Sequence, residues 1–386
     1  MSTPFTSFTL DQLKARTSAK WQHYGADVLP LWVAEMDATI APSVVEAVNA
    51  AMTSGDTGYA VGDAYGEAFV EYSKRHWNLD LDPAYTIPVI DVIRGLGSVI
   101  EHATEAGAPI VITPPVYYPF AMIVAGTGRT LVNAPMTAAG RFDPETLDKA
   151  FAEAAAMGKG GMVLISNPHN PTGVVHTREE LTTLATLANK HGIRILSDEI
   201  HAPLTMPGFE FISILDIPEA ADAIVVTSAS KSYNLAGLKG ALIVTRKESS
   251  EFVRSMKAEY LEAPSHLGTI AHVAALRGGD EWIAAVNKDI DRNRHLVTEL
   301  VNTFLPGAKY TPVEATYLAW VDCRALGLGD DPGQVFLEKG KVAFSSGHVF
   351  GEGGEFPFAA IARITAQQIV LQQAALVGGV FRVIAV

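Results

Sequence analysis

The stretch TSASKSYNLAGLKGA, residues 227–241, sets two lysines, Lys231 and Lys239, among serines and glycines. A lysine in a loop is ordinarily a solvated charge. It becomes a nucleophile toward a carbonyl, able to form a Schiff base, when its surroundings depress its pKa. Ser228 and Ser230 offer hydroxyls beside Lys231, and Lys239 is a second cation eight positions on. ILSDEIH (195–201) places Asp198 at the end of an apolar run. A carboxylate there needs a partner, whether a protonated heterocyclic nitrogen, an arginine or a helix N-terminus. SNPHNPTG (166–173) is dense in turn formers and holds Asn170 between His169 and Pro171. Its amide can donate to a ligand oxygen. PPVYYPF (114–120) puts Tyr117 and Tyr118 on a proline-stiffened turn, where a ring can stack on a flat ligand or pack on its own domain. In RGLGS (94–98) the backbone around Gly95, Leu96 and Gly97 follows a strand and opens a helical pattern, a place that suits a phosphate. A dinucleotide fingerprint would want a third glycine, but position 100 is Ile. A single phosphate is the surviving reading.

The elements that must position these residues can be read around them. Seven short apolar runs, YTIPVIDVI, APIVITPP, TLVNAPM, GMVLISNP, IRILSDEI, AIVVTSAS and GALIVT, alternate with helical patterns between residues 85 and 245. Several are continuously apolar and β-branched, as expected of strands covered on both faces. TREELTTLATLANKHG is an amphipathic helix ended by glycine. The alternation predicts an α/β domain with a mostly parallel seven-stranded sheet flanked by helices. Residues 46–270 form this large domain, and residues 271–386, helical and then with scattered strands, a smaller α+β domain joined by the segment 1–45. In open sheets of this kind ligands bind at the carboxyl ends of the strands. The chemistry-bearing motifs stand at those ends.

Composition narrows the classes. The 386 residues suffice for one large or two medium domains with a sizeable core. A net charge of −13 repels phosphate backbones and argues against nucleic-acid binding. One cysteine, Cys323, lies in an apolar strand-like run and reads as a buried small hydrophobe; no internal disulfide is possible. No signal core opens the chain, and the apolar tract AALVGGVFRVIAV is too short to span a bilayer and is broken by Arg382. A cytoplasmic enzyme is expected, without contact to membranes. No two histidines stand at i, i+4 spacing, and no metal site is expected.

The ordered set NPHNPTG, SDEIH, SASKSYNLAGLKG and a late Arg363 in IARIT strongly resembles the fold-type I pyridoxal-phosphate enzymes of the aspartate aminotransferase superfamily. LPLWVAEMDATIAPSVVEAV (29–48), His201 after the Glu–Ile pair, and EATYLAWVDCRALGL (314–328) resemble the MalY/PatB-like C–S lyases within it. The resemblance implies that Lys231 carries pyridoxal 5'-phosphate and acts as the Cα base. Asp198 faces the ring nitrogen, Asn170 the phenolic oxygen, Tyr117 and Ile200 the two ring faces, and His201 lies in the cofactor site. Gly95, Leu96, Gly97, Ser228, Ser230 and Lys239 would hold the phosphate, together with Tyr59 from a neighbouring subunit, so a homodimer is implied. Arg363 would clamp the substrate carboxylate, with Trp32 and Asn170 at the substrate side. The activity implied is β-elimination on cysteine S-conjugates such as L-cystathionine, with Tyr117 or Lys231 protonating the leaving sulfur. An aminotransferase using the same cofactor, or a regulatory binding protein that retains the fold, are the alternatives.

Overall fold

The computed structural model describes residues 4–6, 8–256, 263–354 and 357–361. Seven strands build the central sheet: β1 Thr86–Val89, β2 Pro109–Ile112, β3 Thr130–Asn133, β4 Gly161–Ser166, β5 Ile193–Asp198, β6 Ile224–Thr227 and β7 Ala241–Thr245. Each falls in one of the seven apolar runs. Their spatial order is β1-β7-β6-β5-β4-β2-β3. Only β7 runs against the rest, pairing antiparallel with both β6 and β1. All six residues of β4 are buried. Alternation explains this: Met162 and Leu164 enter one core, Val163 and Ile165 the other.

The flanking helices include α1 Pro42–Ser54, α2 Ala64–Trp77, α3 Val92–Ala103, α4 Pro119–Gly126, α5 Pro144–Ala156, α6 Arg178–His191, α7 His266–Gly278 and α8 Asp280–Phe304. The α6 boundaries follow from its caps. Thr177 and Glu180 form a reciprocal capping box, and Gly192 ends the helix at φ 66°, a left-handed conformation that costs glycine little.

A second, four-stranded sheet joins β8 Lys309–Tyr310, β9 Leu318–Asp322, β10 Ser345–Ser346 and β11 Pro357–Ile361, in the order β10-β11-β9-β8. Leu29–Pro30 pairs in parallel with Val342–Ala343, so the N-terminal segment is attached beside this sheet. The division expected at residue 270 falls within α7. Ala271, Ala275, Trp282, Val286 and Ile290 lie in the large core, whereas Val301 lies in the small one with Val321 and Phe336. The change falls inside α8, because one continuous helix supplies apolar side chains first to one core and then to the other. Among the described residues no helix is long and apolar enough to cross a membrane.

Candidate active site

Neighbouring strands end level. Ser166, Asp198 and Val226 are direct partners across β4, β5 and β6. The turns that follow therefore emerge side by side, and they carry Asn170, Asp198 to His201, and Ser228 to Lys239. Lys231 is half-buried, and its Nζ donates to the Ala34 carbonyl at 3.0 Å. Burial brings its pKa down to about 8, with Asp198 and Glu35 resisting the shift and Lys239 adding to it. An amine at that value is neutral often enough near pH 7 to attack a carbonyl.

Asp198 is 4% exposed. Burial pushes its carboxyl up to about 7, against the Ile200 N–H, which donates to Oδ1 at 3.1 Å, and the charge of Lys231. Its chain neighbour Glu199 is a useful contrast. Glu199 is also held at about 7 by burial, but its oxygens accept from Ser213 Oγ at 2.7 Å, Ile214 N at 2.9 Å and Ser197 Oγ at 3.2 Å. Glu199 is thus saturated and pins the loop 212–214. Asp198, with one donor among the described residues, retains capacity for a cationic partner.

His201 is buried, and burial together with the Lys231 charge lowers its pKa to about 3, so it is neutral. Its Nδ1 has no hydrogen-bond partner among the described residues. Asn170 is buried and ties its turn down through its backbone. Its N–H donates to Ser166 Oγ at 3.2 Å, and its carbonyl accepts from Tyr117 N at 2.9 Å. Its amide side chain makes no hydrogen bond among the described residues. Tyr117 is half-buried and packs against the apolar cluster that contains Ile200. Burial raises its phenol above the ordinary value, and the neighbouring Tyr118, Asp198 and Asp91 raise it further. It therefore stays protonated at neutral pH.

Ser228 Oγ donates to the Gly240 carbonyl at 2.6 Å and accepts from Ser230 N at 3.0 Å. Behind it, the buried Tyr65 of α2 bonds His272 Nδ1 of α7 at 2.8 Å, and His272 Nε2 donates to the Leu238 carbonyl at 3.0 Å. That second bond leaves Nδ1 as the acceptor for the Tyr65 hydroxyl.

One group of expected residues is placed differently. Gly95, Leu96 and Gly97 lie inside α3, not at its start, and the Gly95 N–H already donates to the Asp91 carbonyl at 2.9 Å. Their N–H groups are consumed by the helix, so they cannot cradle a phosphate. The N-cap is Asp91, and the N–H groups without an intrahelical partner begin at Val92 and Ile93. Gly95 serves packing: a Cβ there would stand 3.0 Å from Val226 Cγ1 and 3.2 Å from Val89 Cγ2. An Asp two residues beyond the apolar strand, opening an amphipathic pattern, is the signal that marks this start.

Lys239 faces Asp91, Nζ to Oδ2 at 2.7 Å. Trp32 packs between His23 and Tyr24, with ring centroids at 4.7 and 6.0 Å, and its Nε1 is buried without a partner among the described residues. Tyr59 is fully exposed in a single chain. Arg363 lies outside the described residues. Cys323 is buried and its thiol is pushed up by that burial, as suits an inert core residue.

Sequence reasoning missed how residues 32–37 are fastened over Lys231. The Asn234 amide grips Met36 on both sides, accepting its N–H at 2.9 Å and donating to its carbonyl at 2.8 Å. Lys20, fully buried, donates to Asp37 at 2.6 Å and to the Glu35 carbonyl at 2.7 Å, while Trp21 Nε1 donates to Asp37 at 2.9 Å. Nothing local in the sequence joins positions 20, 37 and 234.

The model of the family "Aminotransferase class I and II" matches residues 26–370. A Mycobacterium leprae protein named "Putative cystathionine beta-lyase" is 43% identical over 370 residues, covering 92% of each chain. Cystathionine beta-lyase PatB of Bacillus subtilis is 31% identical over 354 residues, covering 88% of this chain and 90% of PatB. The crystal structure of cystalysin from Treponema denticola, which contains a pyridoxal 5'-phosphate cofactor, superposes with a TM-score of 0.87 at 26% identity, covering 97% of each chain. The chain belongs to the aminotransferase class I and II family, and within it to the MalY/PatB-like group of pyridoxal-phosphate-dependent carbon–sulfur lyases.

The residues fit that cofactor. A buried carboxyl with one internal donor suits a protonated ring nitrogen, an amine lowered to about 8 suits an aldehyde, and the uncommitted Asn170 amide suits a ring oxygen.

Proposed function

We propose that this protein cleaves the Cβ–S bond of L-cystathionine and related cysteine S-conjugates, giving homocysteine, pyruvate and ammonia with the uptake of water. The observation that carries the choice of reaction is the likeness to cystathionine beta-lyases along nine-tenths of the chain, and the site supports it with Lys231, its amine lowered to about 8, and Asp198, a buried carboxyl held near 7, on turns leaving neighbouring strands. Bound pyridoxal phosphate supplies an electron sink for charge developing at the substrate Cα. Lys231 Nζ would hold the cofactor and would serve as the base that takes the substrate Cα proton. Asp198 holds a proton at the ring nitrogen. Asn170 donates to the ring oxygen, Tyr117 and Ile200 enclose the ring, and neutral His201 completes the wall. Ser228, Ser230 and Lys239 bind the phosphate. Lys231 or the protonated Tyr117 hands a proton to the departing sulfur. Segment 32–37, with Trp32, shields the site from water, and Arg363 clamps the substrate carboxylate. Two chains associate so that Tyr59 of each reaches its neighbour's site. That assembly is supported by the full exposure of Tyr59 and the near-full exposure of Val61 in a single chain.

The experiment is to supply L-cystathionine to the purified holoenzyme without any keto acid and to measure pyruvate and free thiol. Both should appear in equal amounts. Turnover that requires a keto acid acceptor would overturn the lyase reading in favour of an aminotransferase.

A further inference from the structure

Asp91 does two things at once. One carboxylate oxygen caps α3 by accepting the Arg94 N–H at 2.8 Å, and the other accepts from Lys239 Nζ at 2.7 Å. A helix N-terminus and a lysine are the donors that a phosphate monoester would use at this end of the site. Asp91 already engages both. The pair is not sealed away: the side chains of Lys239 and Asp91 are 50% and 32% exposed. It belongs to the site, since the Asp91 charge bears on Tyr117 together with that of Asp198. A carboxylate and a phosphate drawing on the same lysine repel each other across a few ångströms.

We propose that Asp91 is a built-in counter-anion that competes with the cofactor's phosphate for Lys239 and the first turn of α3, and so sets how tightly the cofactor is held. Without cofactor it keeps Lys239 neutralised and in place. With cofactor it must share or release that lysine. The proposal rests on the reading of this site as a pyridoxal phosphate site with Lys239 at its phosphate end. Asparagine at position 91 isolates the charge, because it keeps the side-chain oxygen that caps the helix.

The test is a titration of cofactor-stripped protein with pyridoxal phosphate and, separately, with pyridoxal, which lacks the phosphate. Visible absorbance reports binding, and far-ultraviolet circular dichroism checks the fold. Asp91→Asn should bind pyridoxal phosphate about tenfold more tightly and pyridoxal as the wild type does. Lys239→Met should weaken pyridoxal phosphate selectively. If Asp91→Asn leaves that affinity unchanged or lowers it while Lys239→Met still weakens it, the counter-anion role is overturned and the phosphate end stands. Equal tightening of both ligands overturns the role as well. If Lys239→Met binds pyridoxal phosphate like the wild type, the reading of that end fails, and the proposal with it.

Discussion

Lys231 and Asp198 owe their character to burial acting on opposite charges. Burial lowers the amine and raises the carboxyl, and each partner's charge moderates the other's shift. Capture of pyridoxal phosphate by cofactor-free protein should therefore accelerate as pH rises through about 8 and then level off; an amine at its ordinary value would keep gaining to about pH 10. Absorbance kinetics between pH 6.5 and 10 separate the two, and Lys231→Ala should abolish the signal. Asp198 makes a stability prediction in the cofactor-free protein. Its folded-state pKa of about 7 lies above the unfolded value of about 3.9. Between these values the folded chain keeps a proton that the unfolded chain has lost. The contribution of Asp198 is thus complete below the unfolded pKa and lost as pH rises toward 7. Asp198→Asn should gain on the wild type between about pH 4 and 7 and no further above, with a slope of at most about 1.4 kcal/mol per pH unit. Thermal unfolding at three pH values reads this, and a pH-independent difference would contradict it.

At the scale of elements, the site depends on how residues 32–37 are tied to the loop that carries Lys231. Two hydrogen bonds between the Asn234 amide and Met36 do the tying, and the enclosed Lys20–Asp37 pair, both side chains wholly buried, anchors the end of the segment to the helical turn Ala19–Gln22. Breaking a buried pair leaves an uncompensated charge, so Lys20→Met should cost about 3–5 kcal/mol of unfolding free energy. Denaturant unfolding measures it. A loss below about 1 kcal/mol would mean that Arg16, which lies 3.7 Å from Asp37, takes over the pairing. The strands and α6 were legible in the sequence because their signals are local: runs of β-branched residues, and an amphipathic pattern closed by glycine. The start of α3 was misjudged because two glycines drew attention to positions that turned out to be helix interior. There Gly95 is needed for close approach to Val226 and Val89.

At the scale of the whole molecule, the proposed pairing of two chains would cover apolar side chains that a single chain leaves in water. Tyr59 and Val61 are 100% and 91% exposed, and Met122 is 64% exposed. Sedimentation should give a particle of about 82 kDa, twice the 41.2 kDa chain. A species of one chain at micromolar concentration would remove Tyr59 from the site.

The roles expected of Lys231, Asp198 and Asn170 came from the family resemblance; what local sequence determined by itself was the sheet and the order of the motifs along it. Those follow from local patterning, and from the rule that parallel sheets present their carboxyl ends to a ligand. Only the tertiary structure decided that Asp198 rather than Glu199 remains open to a partner, that the Ala34 carbonyl meets Lys231, and that Lys239 lies against Asp91. These depend on desolvation and on contacts between residues as many as 197 positions apart. Such energies arise when distant segments share one buried volume, and no window of sequence contains them.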